Sequence, residues 1–262
     1  MTSDCVLILR KITNQEERAP LTPGSYQRVV LVYLLLLAAV HITFAAFPRI
    51  DLAVSAWFAQ AQGGFAWANG PMDAFNAVVR RTGELVAVAI LLAALWAALS
   101  KRCKPDVMRL VAFPALTVLV ACIGVVNMLL KSYVGRARPH TVTEFGGTAQ
   151  FSPPWQVVNE CTANCSFTSG EVAMSASLAI PALVLVWPWL RSRPAQGLAV
   201  AAAVGYVVLT AVLRIGLGRH FLSDVIFSTL IAAAVALALY ALLGVRQAQA
   251  SLAARWLESK RP

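Results

Sequence analysis

The chain has 262 residues, of which 59% are hydrophobic and only 13% are charged. This composition excludes an ordinary soluble globular protein and predicts an integral membrane protein. Five cysteines are too few for an extracellular disulfide scaffold. The formal net charge of +10 is not gathered in a basic stretch long enough for a nucleic-acid surface, so we expect no nucleic-acid partner, a membrane bilayer with anionic lipid, and one bound anion.

Six apolar stretches come close to the roughly 20 residues that a helix needs to cross a hydrocarbon core. In lipid the backbone must satisfy its hydrogen bonds within each segment, which predicts an all-α polytopic membrane protein with six transmembrane helices. We expect a cytoplasmic N-terminal segment over 1–28, a transmembrane domain over 29–244 and a cytoplasmic C-terminal tail over 245–262. The predicted spans are 29–47, 84–99, 107–130, 172–190, 195–213 and 222–243.

Lys and Arg indicate the orientation, because cytoplasmic flanks are enriched in them. With both termini inside, most of the 22 basic residues fall on inner segments. Two short outer segments, 131–138 and 214–219, hold five more. These five basic residues depart from the rule that cytoplasmic flanks are enriched in Lys and Arg, which indicates that they have another role. If the membrane is a bacterial inner membrane, both segments face the periplasm.

The first outer loop, over 48–83, contains an apolar run that follows Asp51. Its side chains Leu52, Val54, Trp57 and Phe58 are typical of a helix that lies in the membrane interface with an aromatic anchor. A loop packed on top of the helix bundle is the alternative, and neither assigns chemistry.

Two further groups of residues lie on the same predicted outer face. Lys131 and Arg138 follow the third span and offer fixed cations. Ser169 and Gly170 open the fourth span, and the free N–H groups of a helix N-terminus favour an anion.

A third group, Arg214, His220 and Asp224, lies between the fifth and sixth spans. His220 and Asp224 are four residues apart and share a helix face, so the carboxylate could accept from one imidazole nitrogen and free the other for attack. Three cations, N–H donors and an oriented histidine predict a phosphate site.

These segments resemble the signature of the type-2 phosphatidic acid phosphatase family, which is similar in its site to vanadate-dependent haloperoxidases. The first element is complete in Lys131, Arg138 and Pro139. The third element is complete apart from Leu213 in place of Ser. The second element departs from the pattern, because Thr168 stands for Pro and Glu171 stands for His.

The resemblance implies a lipid phosphatase in which His220 is the nucleophile that forms a phosphohistidine and Asp224 orients it. The residues implied to hold the phosphoryl oxygens are Lys131, Arg138, Ser169, Gly170 and Arg214. Neither a metal nor another cofactor is implied. In the family, a histidine stands at the position of Glu171 and protonates the leaving oxygen. The residue that donates this proton in the present chain is therefore open.

Three roles are open for Glu171. With Thr168 it can form a capping box, it can act as a general acid whose pKa is raised by burial, or it can contact a substrate hydroxyl. His140 is a substitute acid. Cys161 and Cys165 precede Thr168 in the long outer loop and are candidates for a disulfide that pins it, with free thiols as the alternative.

A lipid phosphate is the expected substrate, and lipid A 1-phosphate is favoured. An anomeric oxygen leaves more easily without an acid than the alkoxide of phosphatidic acid or phosphatidylglycerol phosphate, and a diphosphate such as undecaprenyl diphosphate shares this property. Two other classes remain as alternatives. They are a transporter with discontinuous helices and a non-catalytic lipid-phosphate-binding relative, against which the paired His220 and Asp224 argue. The oligomeric state stays open.

Overall fold

A computed structural model describes residues 23–258 except 101, 102 and 191. Most of the predicted N-terminal segment and the last four residues of the predicted tail lie outside this range. The described chain forms eight α-helices and no sheet. They are α1 (Pro23–Ala46), α2 (Ile50–Ala56), α3 (Pro71–Leu99), α4 (Pro105–Thr117), α5 (Gly170–Val186), α6 (Arg193–Gly216), α7 (Leu222–Leu242) and α8 (Val245–Glu258).

The third span is longer than α4 itself, because the helix continues with π-helical hydrogen bonding over Val118–Leu130 and ends in one α-helical turn at Lys131–Tyr133. Short 3-10 turns occupy Pro139–Thr141, Thr143–Phe145 and Trp187–Trp189. Six of the described helices are long and apolar enough to cross a membrane. The prediction of an all-α polytopic membrane protein is confirmed.

The largest boundary difference concerns α3, which begins at Pro71 instead of residue 84. Its first four turns carry Asp73, Arg80, Arg81 and Glu84, and because of these charges a search for apolar runs did not detect this part of the helix. Proline is well suited to the first turn of a helix, where its missing N–H is not needed. The outer loop therefore ends at Gly70, and the charged residues lie on a helix.

The short helix α2 packs on the end of the bundle. Asp51 is fully buried, while Leu52, Val54 and Phe58 pack against hydrophobic clusters of the core. Among the four apolar residues expected at an interface, only Trp57 is largely exposed, at 78%. The interfacial reading is wrong for the other three, and the packed alternative describes this segment.

Helix α5 lies at the centre of the bundle and packs against α4, α6 and α7. Its inward positions include Ala173, Ala176 and Ala179, all buried. Ala176 meets Ala121 and Ala232 of the neighbouring helices in one cluster. Small side chains let helix backbones approach closely, which is how membrane helices associate.

Successive spans alternate in direction, so α4 and α6 end, and α5 and α7 begin, at the same end of the bundle. The predicted tail begins with α8, which packs against α4 at the opposite end. Val245 and Ala248 of this helix are fully buried, and Arg255 contacts Asp106. The described part of the tail is thus a docked helix.

Gly135 shapes the backbone just before Arg136. Its φ is +66°, and an added Cβ would overlap the carbonyl oxygen of Val158. Gly135→Ala should therefore destabilise the protein by about 2–4 kcal/mol through strain and overpacking, measured as thermal unfolding in detergent. Gly197→Ala is the matched control, because a Cβ there meets nothing within 4 Å. Equal stability of the two variants would contradict this account.

Candidate active site

His220 lies in the turn between α6 and α7. Its Nδ1 is 2.8 Å from the carbonyl oxygen of Ser166. A carbonyl oxygen can only accept, so Nδ1 carries the proton in this contact and Nε2 keeps its lone pair. Sequence reasoning assigned this role to Asp224, but Oδ2 of Asp224 is 3.7 Å from Nδ1. The tautomer is therefore set by Ser166, and the direct His220–Asp224 hydrogen bond is a wrong expectation.

Asp224 is fully buried behind the histidine. Its Oδ2 accepts from Ser166 Oγ at 2.6 Å and from the Phe221 N–H at 2.8 Å. Its Oδ1 accepts from Nη1 of Arg136 at 2.6 Å. The carboxylate thus supplies a fixed negative charge close to His220 and holds Ser166, whose carbonyl orients the imidazole.

Arg136 is also fully buried and joins two carboxylates. Its Nη2 donates to Asp51 Oδ2 at 2.8 Å, and its Nη1 reaches Asp224 and Ser223 Oγ. Nε donates to the Ser152 carbonyl at 2.9 Å, and the guanidinium lies 4.4 Å from the Phe221 ring centroid. A planar fork with several fixed acceptors suits arginine and not lysine.

Asp51 closes the network from α2. Its carboxylate accepts from the N–H of Ser223 at 2.8 Å and from Ser223 Oγ at 2.5 Å. Burial raises the pKa of Asp51, and the Arg136 cation opposes that rise. Sequence analysis did not assign Asp51 and Arg136 to a buried ion pair. The available signal was one acidic residue at the start of an apolar run, a residue type that is almost never buried without a partner.

The predicted cations meet at a cleft with a volume of about 510 Å³. Lys131, Arg138 and Arg214 line it together with His220 and Glu171. The Nε of Arg214 is buried and has no acceptor within the described part of the chain. Burial lowers the pKa of Arg138, and neighbouring Arg219 adds to this. An anionic oxygen in the cleft would accept a hydrogen bond from Arg214 Nε and would reduce the repulsion between the cations.

Ser169 and Gly170 occupy the start of α5, as predicted, but Ser169 does not face the cleft. It is fully buried, and its Oγ accepts from the Val172 N–H at 3.5 Å as the N-cap. Because Ser169 and not Thr168 caps α5, the expected Thr168–Glu171 capping box is wrong. Gly170 lines a second pocket that shares Lys131 with the cleft.

Glu171 faces the cleft and pairs with cations. Its Oε1 is 2.9 Å from Nη1 of Arg214 and 3.8 Å from Nε of Arg80. With its amide oriented to match its neighbours, Asn76 donates to Oε2 at 3.1 Å and accepts from Arg214 at 3.2 Å. In this arrangement Glu171 accepts hydrogen bonds, the reverse of what a proton donor does.

The two other sequence candidates lie beside the cleft. His140 Nδ1 contacts the Gly218 carbonyl at 2.8 Å, burial lowers the His140 pKa, and the side chain lines a neighbouring groove instead of the cleft. Cys161 and Cys165 are joined in a disulfide. No group of three or more His, Cys, Asp or Glu that could hold a metal ion occurs in the described ranges.

Residues 110–248 match the PAP2 superfamily, and this match spans α4 to α8 with every residue of the cation cleft except those on α3. The chain belongs to the PAP2 superfamily. The PAP2 region also includes the loop that carries Arg136 and Ser166, whereas Asp51 lies before it.

Curated relatives of this PAP2 protein carry the name lipid A 4'-phosphatase. The protein from Rhizobium leguminosarum is 37% identical over 133 residues, 51% of this chain and 54% of the relative. The protein from Francisella tularensis subsp. novicida is 36% identical over 103 residues, 39% of this chain and 44% of the relative. The Rhizobium etli protein is 35% identical over 131 residues, 50% of this chain and 49% of the relative. The chain thus spans about half the length of these relatives.

The chain also matches a solved structure. It is the transmembrane PAP2 type phosphatidylglycerolphosphate phosphatase from Bacillus subtilis, at a TM-score of 0.45 and 20% identity, and the comparison covers 84% of this chain and 94% of that one.

Burial lowers the pKa of His220 to about 3, from an ordinary value of 6.5, and Asp224 only partly offsets this. The imidazole is therefore neutral in the folded protein above about pH 3, and between about pH 3 and pH 6.5 it gains a proton on unfolding. The free energy of unfolding should fall with acidification by up to about 1.4 kcal/mol per pH unit below that value. Chemical unfolding in detergent at several pH values should show a shallower dependence for His220→Asn, which cannot titrate. Parallel curves for the two proteins would contradict the neutral, buried imidazole.

Proposed function

We propose that this PAP2 protein is a membrane lipid phosphatase that works through a covalent phosphohistidine on His220. One observation carries the proposal. An imidazole whose Nδ1 proton is held by the Ser166 carbonyl lines a cleft together with Lys131, Arg138 and Arg214. A nucleophile with a fixed lone pair beside three cations is the arrangement that phosphoryl transfer requires.

In the first step Nε2 of His220 attacks phosphorus and the bond to the lipid oxygen breaks. The imidazole becomes positively charged, and the nearby Asp224 carboxylate, 3.7 Å from Nδ1, stabilises that charge without taking the proton. Water then attacks phosphorus and gives a proton to the Glu171 carboxylate that is left by the first step, the P–N bond breaks, and inorganic phosphate leaves with His220 neutral again.

The cations stabilise the transferring group. Arg214 offers its unpaired buried Nε, and Lys131 and Arg138 lie across the cleft. Donors that are already in place when charge develops need no reorganisation during the reaction, which makes this the largest contribution in many enzymes. Gly170 brings the N-terminus of α5 to the same region and supplies free N–H groups there.

Glu171 is the group we propose for the proton at the leaving oxygen. In the structure it pairs with Arg214. A phosphate that takes Arg214 as its own partner frees the Glu171 carboxyl group from that ion pair. The displaced acid is then placed to donate to the departing alkoxide.

The substrate we propose is a phosphate monoester of lipid A. Three relatives, each 35–37% identical to between 39% and 51% of this chain, are named lipid A 4'-phosphatase, and this supports the 4'-phosphate over the 1-phosphate favoured by the leaving-group argument. The 1-phosphate is the second candidate, and the observation in its favour is that Glu171 accepts from Arg214 instead of donating. We further propose a bacterial inner membrane with both termini cytoplasmic and the cleft facing the periplasm, as the distribution of Lys and Arg indicates.

The purified protein should release inorganic phosphate from lipid A that carries both phosphates, and mass spectrometry of the product should show loss at the 4' position. His220→Ala should abolish release, because no nucleophile remains. Asp224→Asn should slow it by about 10²-fold or more, because the imidazolium loses its charge partner. Loss at the 1 position would overturn the choice of substrate position alone. Full activity of His220→Ala would overturn the phosphatase mechanism.

The acid role of Glu171 makes a separate prediction. Glu171→Gln keeps the size of the side chain but cannot donate an acidic proton, so it should lower kcat/KM for the lipid substrate by about 10²-fold. An aryl phosphate has a good leaving group that needs no proton, and its kcat/KM should change little. Equal losses for the two substrates would instead assign Glu171 to binding.

A further inference from the structure

Residues 164–166, which begin inside the disulfide loop and end just after it, contact both halves of the active site. Ser166 accepts from His220 and donates to Asp224, while Asn164, two residues earlier, contacts two cations. Its side-chain Oδ1 accepts from Lys131 Nζ at 3.1 Å. Its backbone carbonyl accepts from Arg138, at 2.7 Å from Nη2 and 3.2 Å from Nε.

One residue thus holds two of the five cationic side chains that line the cleft. Lys131 and Arg138 repel each other when they are brought to the same phosphate, and both have long side chains that lose rotamer freedom when they are fixed. Asn164 gives each cation its own acceptor, the side-chain oxygen for Lys131 and the backbone oxygen for Arg138. Both the repulsion and the loss of rotamer freedom are therefore partly offset before the substrate binds. Asn164 is exposed, so it fixes the cations from the solvent side of the cleft.

The backbone at Asn164 is left-handed, with φ of +50°. Asparagine tolerates this conformation better than most residues, and here it lets the side-chain and backbone oxygens of the same residue serve different cations. Asn164 lies inside the loop that the Cys161–Cys165 disulfide closes. Cys165 itself is buried, at 1% exposure, which ties the loop to the body of the protein.

We propose that Asn164 is a positioning residue of the phosphate site, which holds Lys131 and Arg138 ready for the phosphoryl group while the Cys161–Cys165 disulfide holds Asn164 in place. It acts through the two cations and does not touch the reacting atoms. The inference rests on the proposed function only in taking these cations as the phosphate ligands. A consequence is that phosphate affinity depends on an intact disulfide.

The test uses vanadate, a phosphate analogue, so that it needs no knowledge of the lipid substrate. Asn164→Gly keeps the left-handed backbone and removes only the acceptor for Lys131. The vanadate dissociation constant of the full-length protein in detergent should rise about tenfold, the effect expected for one hydrogen bond to a charged group. Asn164→Asp puts a carboxylate beside both cations, competes with the anion, and should weaken binding further, more so at low salt.

Thr162→Ala is the matched control, because Thr162 is an exposed side chain in the same disulfide loop, and its vanadate affinity should equal that of the unsubstituted protein. The double variant Cys161→Ser, Cys165→Ser should weaken vanadate binding at least as much as Asn164→Gly. A second measurement separates positioning from general loosening of the site. Thermal unfolding of Asn164→Gly in detergent should match that of the unsubstituted protein, because the Asn164 side chain is exposed.

Unchanged vanadate affinity in both Asn164 variants would overturn the proposal, and so would a thermal unfolding midpoint of Asn164→Gly that falls together with the affinity. These outcomes differ from failure of the phosphatase assignment. In that case the unsubstituted protein itself would not bind vanadate, or His220→Ala would keep its activity.

Discussion

The active-site end of the protein depends on one fully buried cation, Arg136, held between Asp51 and Asp224. The three side chains come from α7, from the loop after α4 and from the short helix α2, so the ion triad fixes three distant parts of the chain at one end of the bundle. All three are fully buried. Removal of one partner from such a network costs about 3–5 kcal/mol, because a charge is left without compensation.

The triad also sets the charge around the nucleophile. The triad holds the Asp224 carboxylate, with its negative charge, next to a histidine that burial keeps neutral. Before the reaction the neutral imidazole has a lone pair on Nε2, and during attack its growing positive charge faces Asp224. Two tasks that sequence reasoning gave to one residue are divided in the structure. The Ser166 carbonyl chooses the tautomer, and Asp224 supplies the charge.

Sequence analysis predicted the six spans from the length of the apolar runs. It also predicted, from the order and spacing of the motifs, that Lys131, Arg138, Arg214 and His220 form one site. Neither prediction depends on the exact path of the loops. Sequence analysis could not place Asn164 or Ser166. Both lie in an irregular loop whose path is set by tertiary contacts and the disulfide. Such a path leaves no periodic pattern of apolar residues in the sequence. Because the first turns of α3 are polar, sequence analysis also missed the side of the cleft that Asp73, Asn76 and Arg80 line. A capping box was read at Thr168 because cap position depends on where α5 begins, and sequence patterns locate helix ends poorly.

The central claim is that His220 carries the phosphoryl group during turnover. The most direct measurement mixes the purified protein with lipid A labelled at the phosphate, quenches in alkali because phosphohistidine is labile in acid, and locates the label by peptide mass spectrometry. The account predicts one phosphoryl group on His220 and none in His220→Ala. Rapid turnover with no phosphorylated histidine, or with the label on another side chain, would contradict it.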